Sequence, residues 1–290
     1  MASVKTVGLI VGSVAVATFS FGLAFAADPS HATVKKATAS APAVKAHIVR
    51  VTGEDFKFDA PDVIPAGLTE FRFLNKGPAI HHMQLLKLAG GKTVDDLHAA
   101  LANPGPLPAW VRQVGGPNAP APGLESNATM MLEPGNYALI CFVDIGGAPH
   151  FMKGMVRPLR VVPAKGPAAT KPRADVTATL VDYAFKLSSP IRAGTNTIRV
   201  YNAAQQPHEV ELVQLAPGAT VGDFMKWIEK MEGPPLGKAL GGVAGLEPGM
   251  SGYFTANFTP GNYALICFVP DAKDGKPHFT HGMMQQITVN

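Results

Sequence analysis

"PGNYALICFV" occupies Pro134–Val143, and the same ten residues recur at Pro260–Val269. On an extended strand Tyr137, Leu139, Cys141 and Val143 share one face, and Ala138, Ile140 and Phe142 take the other. Both faces are apolar, so the strand is expected to be covered on both sides for much of its length. The two copies also hold the only two cysteines of the 290-residue chain, Cys141 and Cys267, at equivalent positions. A disulfide would require Cα atoms within about 7 Å of each other. Equivalent interior positions in two separate repeats argue against that approach.

The self-similarity extends outward from this strand. "TEFRFLN" (Thr69–Asn75) parallels "NTIRVYN" (Asn196–Asn202), and "HHMQLLKL" (His81–Leu88) parallels "HEVELVQL" (His208–Leu215). "PHFMKGM" (Pro149–Met155) parallels "PHFTHGM" (Pro277–Met283), and all offsets lie between 126 and 128 residues. Units of this size are domains, so the chain is a tandem duplication and not a solenoid. The first domain is expected over residues 47–163 and the second over 175–290. "AKGPAATKPRA" (Ala164–Ala174) lies between them as a polar, Pro-bearing linker. That linker predicts two units that each fold alone.

Within each unit the pattern has period two. Phe71 and Phe73 fall on one face, as do Ile198 and Val200. Thirty Gly, 26 Pro and only 16% charged residues favour a turn-rich β protein. Thr93 with Asp96, and Thr220 with Asp223, read as capping boxes in the shorter Asp form, so one short helix is expected in each unit. The expected fold class is all-β: two tandem β-sandwiches, each with a short inserted helix.

The N-terminus reads as an address. An apolar run from Val7 to Phe25 follows Lys5, and Ala24-Phe25-Ala26 supplies a small-x-small cleavage pattern. Residues 1–26 are expected to be a signal peptide removed on export to the periplasm, with an uncleaved anchor as the alternative. Residues 27–46 read as a flexible leader. No other stretch is apolar and long enough to span a membrane, so the mature chain is expected to have no span. The net charge of +4 comes from scattered Lys and Arg, which leaves no nucleic-acid footprint.

Each cysteine keeps matched company. His81 precedes Cys141, and His150 and Met155 follow it; His208 precedes Cys267, and His278 and Met283 follow that. Each repeat thus carries His…Cys…His-x4-Met. A thiolate, two imidazoles and a weak thioether are the ligands of a blue-copper electron-transfer centre, so copper is expected in each domain. His82 is matched by Glu209 and reads as outward-facing. Met83 and Met152 are unmatched as alternative thioethers, and His281 aligns with Lys153 and reads as loop surface. His31, His47 and His98 fall in no pattern.

At these residues the chain resembles the cupredoxins, the plastocyanin, amicyanin and azurin group. "NAAQQPHEVEL" (Asn202–Leu212) is similar to the plastocyanin segment that ends in Pro-His before a strand. Gly-x-Tyr-x-x-x-Cys in "GNYALIC" and His-x4-Met with Gly before Met match the group's spacing. The resemblance covers nearly all of both repeats outside the helical insertion and implies Greek-key sandwiches with the metal at one end. One departure stands out: eight residues separate Cys141 from His150 and ten separate Cys267 from His278, where the group has two to four.

The chain contains no His-x-His, and neither cysteine is flanked by His. Multicopper oxidases need such pairs, so the expectation is a protein that is not an enzyme. It would exchange single electrons with a redox partner protein. The alternatives are a metal-free cupredoxin-fold binding module and a periplasmic copper carrier. Zn or Co could occupy the same donors in vitro.

Overall fold

The computed structural model describes residues 44–103, 105–144 and 147–290. The expected signal peptide and most of the expected leader therefore lie outside the described residues. In the first repeat the strands are β1 (His47–Glu54), β2 (Lys57–Asp59), β3 (Val63–Pro65), β4 (Gly67–Asn75) and β5 (Gln84–Leu88). They continue with β6 (Val111–Gln113), β7 (Glu125–Leu132), β8 (Gly135–Ile140) and β9 (Val156–Val162). The second repeat has β10 (Val176–Val181), β11 (Ala184–Leu187), β12 (Gly194–Asn202) and β13 (His208–Leu215). It ends with β14 (Gly237–Leu246), β15 (Ser251–Phe258), β16 (Gly261–Ile266) and β17 (Met284–Val289). Each repeat is a β-sandwich of two sheet layers.

The two α-helices, α1 (Val94–Leu101) and α2 (Val221–Lys230), both begin in complete capping boxes. Thr93 and Thr220 accept from the N–H of Asp96 and Asp223, whose carboxylates accept in return from the Thr N–H. The helices explain why the cysteine strands are apolar on both faces. Tyr137, Leu139 and Cys141 enter the sandwich core, while Ala138 and Ile140 pack with Leu97 of α1. In the second repeat Ala264 and Ile266 pack with Phe224 and Met225 of α2.

The repeats are not independent modules. One eight-stranded sheet runs β11-β10-β12-β15-β7-β4-β1-β2 and crosses from repeat to repeat where β15 pairs with β7. The partner layers are β3-β9-β8-β5-β6 and β14-β13-β16-β17. These also meet, through bridges Val114↔Leu246, Pro117↔Val243 and Pro120↔Leu240. With an offset of 126 residues the contacts are self-complementary: Pro117 and Val243 are equivalents that face each other. The arrangement is that of an isologous two-fold interface, formed here within one chain. The expectation that each repeat folds alone is thus set beside a shared strand edge that a separated repeat would expose. The linker is polar, but the strand edges on either side of it are not free. A separately expressed first repeat, residues 47–163, is expected to self-associate through β7 and residues 114–120. Sedimentation equilibrium checks this, and a well-folded monomer would count against it.

The interface buries polar groups. Gln84 Nε2 donates to the carbonyls of Gly115 (3.1 Å) and Gly245 (3.0 Å). At the equivalent place Glu211 Oε2 accepts from Ala119 N–H at 3.0 Å, and its Oε1 is buried without a partner. Burial, then the neighbouring Glu209, hold the Glu211 carboxyl well above the ordinary 4.5. The folded state therefore keeps a proton that the unfolded chain has lost, and stability falls as pH rises above about 4.5. Glu211→Gln, which copies Gln84, is expected to flatten that fall and raise the melting temperature at mildly alkaline pH. Thermal melts across pH check it.

Candidate metal centres

Each site is assembled at the end of the cysteine strand. Before the first histidine, Asn75 ties its loop by donating to Ala79 O (2.8 Å) and accepting from Gly77 N–H (3.0 Å). Asn202 does the same with Gln206 O (2.8 Å) and Ala204 N–H (2.9 Å). After the cysteine, bridges pair Asp144 with Pro149 and Pro270 with Pro277. His150 and His278 then return, donating N–H to Val143 O and Val269 O at 2.9 Å. Those contacts bring the histidines back beside the cysteines despite the long cysteine-to-histidine spacing.

A single 3₁₀ turn follows, His150–Lys153 and His278–His281. Gly154 (φ 106°) and Gly282 (φ 96°) end it in the left-handed region, which explains Gly at that place in both motifs. The next residues, Met155 and Met283, are bound to the cysteines. Cys141 N–H donates to Met155 O and Cys267 N–H to Met283 O, both at 3.1 Å. All eight residues expected at the sites are buried.

The structure brings His81, Cys141 and His150 together, and likewise His208, Cys267 and His278, with one donor atom of each within 4.8 Å of the others. In the first site His81 Nδ1 lies 2.9 Å from His150 Nδ1, and Cys141 Sγ lies 3.6 Å from His150 Nδ1. In the second, Cys267 Sγ lies 3.4 Å from His278 Nδ1 and 3.8 Å from His208 Nδ1. Met155 and Met283 share the core cluster of the two cysteines.

Two carboxylates orient the first histidines, and the sequence reading missed both. His81 Nε2 donates to Asp55 Oδ1 at 2.5 Å and His208 Nε2 to Asp182 Oδ1 at 3.0 Å. A carboxylate can only accept, so Nε2 keeps the proton and the Nδ1 lone pair faces the site. Asp55-Phe56 and Asp182-Tyr183 stand at the common offset of 127 residues, a signal the self-comparison passed over.

Burial pushes His150, His208 and His278 toward neutrality. It is the leading cause for His150, with His81 and Lys153 adding, and for His208. His278 is pushed down to about 4 by burial and then by His208. Burial also drives the Cys141 thiol up to about 12 and raises Cys267, beside Glu209, as well. Imidazole nitrogens and buried thiols converge on a space where a cation would favour the thiolate form. Loading it would release the thiol proton. A soft thiolate and two imidazoles fit copper, and the backbone bond from each cysteine brings a methionine segment to the same place.

His82 does not face outward. It accepts from Phe142 N–H at 3.0 Å through Nε2, and Glu209 Oε1 accepts from Phe268 N–H at 2.9 Å. The unlike letters at these equivalent positions do the same thing: each holds the residue after the cysteine. Burial, then His150 and His81, push His82 down to about 3, while burial pushes Glu209 up to about 7. Met83 is core, Met152 is exposed, and His281 is exposed with Nε2 3.2 Å from Asp274. Both cysteines are free, so no Cys141–Cys267 bridge forms. No helix among the described residues is long and apolar enough to cross a membrane.

No protein-family model matches the chain, and no curated protein matches it. Solved structures do. Auracyanin from the photosynthetic bacterium Roseiflexus castenholzii is 21% identical over 41% of this chain and 99% of its own, with a TM-score of 0.27. A blue copper oxidase from Nitrosomonas europaea is 15% identical over 84% of this chain and 86% of its own, with a TM-score of 0.23. A copper-containing nitrite reductase from Thermus scotoductus is 12% identical over 86% of this chain and 62% of its own, with a TM-score of 0.23.

One expectation is corrected by them. The chain is not to be classed as a non-enzyme, because structures similar to it include an oxidase and a reductase. The physical reason is simple. Lack of His-x-His removes one kind of copper cluster from the chain, and it says nothing about chemistry at a mononuclear centre.

Proposed function

We propose that this is an exported copper protein with two mononuclear centres, and that it exchanges single electrons with a redox partner protein. The reading gives His81, Cys141, His150 and Met155 to one centre and His208, Cys267, His278 and Met283 to the other. The observation that carries it is the convergence, in both repeats, of Cys Sγ and two His Nδ1 atoms in buried surroundings. When bound, copper supplies a one-electron couple between Cu(I) and Cu(II). The chain's part is to hold the donors still. Asp55 and Asp182 fix the first imidazoles, Val143 O and Val269 O anchor the second, and the Cys–Met backbone bonds tie the thioether segment to the thiolate strand. Donors held this way move little when the charge changes, which keeps electron exchange fast. Export is supported by the Val7–Phe25 apolar run and Ala24-Phe25-Ala26.

Redox titration of the copper-loaded protein tests the reading. Each site is expected to bleach and recover reversibly, with one electron per copper. Tight Cu(I) retention without reversible cycling would favour a copper carrier instead.

A further inference from the structure

The two sites are joined through the interface by a continuous run of bonds with one side chain at its centre. From the first site His81 leads through His82 to Met83, whose N–H donates to Pro117 O at 3.0 Å. Pro117 is followed by Asn118, which is 2% exposed. Asn118 Nδ2 crosses to the second repeat and donates to Val210 O at 3.2 Å. Val210 leads back through Glu209 to His208 of the second site. The cysteine strands join the same run at both ends, through Phe142 N–H to His82 and Phe268 N–H to Glu209.

Met83 and Val210 are equivalent positions, two residues beyond the first histidine in each repeat. The pairings Met83–Pro117, Pro117–Val243 and Val243–Val210 separate them by three strand spacings, about 14 Å. Asn118 shortens the bonded route by stepping past Val243. Its equivalent at the offset of 126 residues is Ala244, which has no amide to offer, so this bridge has no counterpart, and Gln84 to Gly245 O and Ala119 N–H to Glu211 cross the interface beside it.

We infer that the two centres exchange an electron within one molecule and that Asn118 is the side chain that couples them. This rests on the copper reading of both sites. The exchange moves one electron from one site, which is oxidised, to the other, which is reduced. No bond forms or breaks and no proton leaves. A chain able to do this accepts an electron at either end and releases it from the other, and it can hold two electrons at once.

The test uses the full, copper-loaded chain with Met155→Gln as a spectral label, which shifts the absorption of the first site so that each is read separately. A flash photoreductant delivers less than one electron per molecule. The expected result is a first-order phase, with a rate independent of protein concentration, in which one band recovers as the other bleaches. Asn118→Leu, of similar size but without the N–H donor, is expected to slow that phase several-fold with copper content and static spectra unchanged. Asn118→Ala provides the same loss with no added bulk. A phase whose rate scales with protein concentration, or no such phase, would overturn the inference, as would an unchanged rate in the two Asn118 variants. A chain that takes up no copper fails at the earlier step and overturns the proposed function itself.

Discussion

Cys141→Ser removes the intense thiolate-to-copper absorption of the first repeat and leaves that of the second; Cys267→Ser does the converse, and the double variant is colourless. This is the largest effect the two-site account expects. Only a thiolate gives copper a soft, strongly coupled bond, whereas a serine hydroxyl stays protonated. The separation of effects follows from the structure, because each cysteine has its own two histidines and no donor is shared. The apo protein should lose only about 1–3 kcal/mol, since the exchange is nearly isosteric and buries one hydroxyl. Visible spectra of the three variants after copper loading check it. Loss of all colour in either single variant would mean one shared centre.

The second large effect lies where a glycine in each repeat packs against the segment after the first histidine. Gly116 (φ 124°) and Gly242 (φ 137°) are equivalents, and a Cβ on either would sit 2.1 Å from a backbone carbonyl oxygen, that of Met83 or Val210. Backbone cannot swing aside as a side chain can. Gly116→Ala and Gly242→Ala are each expected to cost about 2–5 kcal/mol through left-handed strain and overpacking. Gly105→Ala, which meets open space, is the control. Denaturant midpoints measure the difference. If the two variants match the control, the close approach of these glycines to Met83 O and Val210 O does not limit stability.

Much of this was legible in the sequence because the duplication displays each feature twice. The period-two strands, the capped helices and the order His…Cys…His-x4-Met all repeat within two residues of register. Phe71, Phe73, Ile198 and Val200 are buried on the expected faces. What stayed hidden was relational. β7 and β15 look like ordinary strands, and nothing in their own letters says that their edges meet. The Gly-Gly pairs at 115–116 and 241–242 stand at the common offset and mark the close approach, but a glycine pair reads equally as a turn. His82 and Glu209 share no letter, so comparison by identity set them apart although both accept the N–H that follows the cysteine. Asp55 and Asp182 sit far from the motif in sequence and reach it only through the fold.

Copper stoichiometry tests the central claim most directly. The apo protein, dialysed against limiting and then excess copper, is expected to bind two coppers per chain, with the thiolate-to-copper band rising in proportion until both sites are filled. Saturation at a single copper, or uptake without that band, would contradict the account of two equivalent His–Cys–His centres.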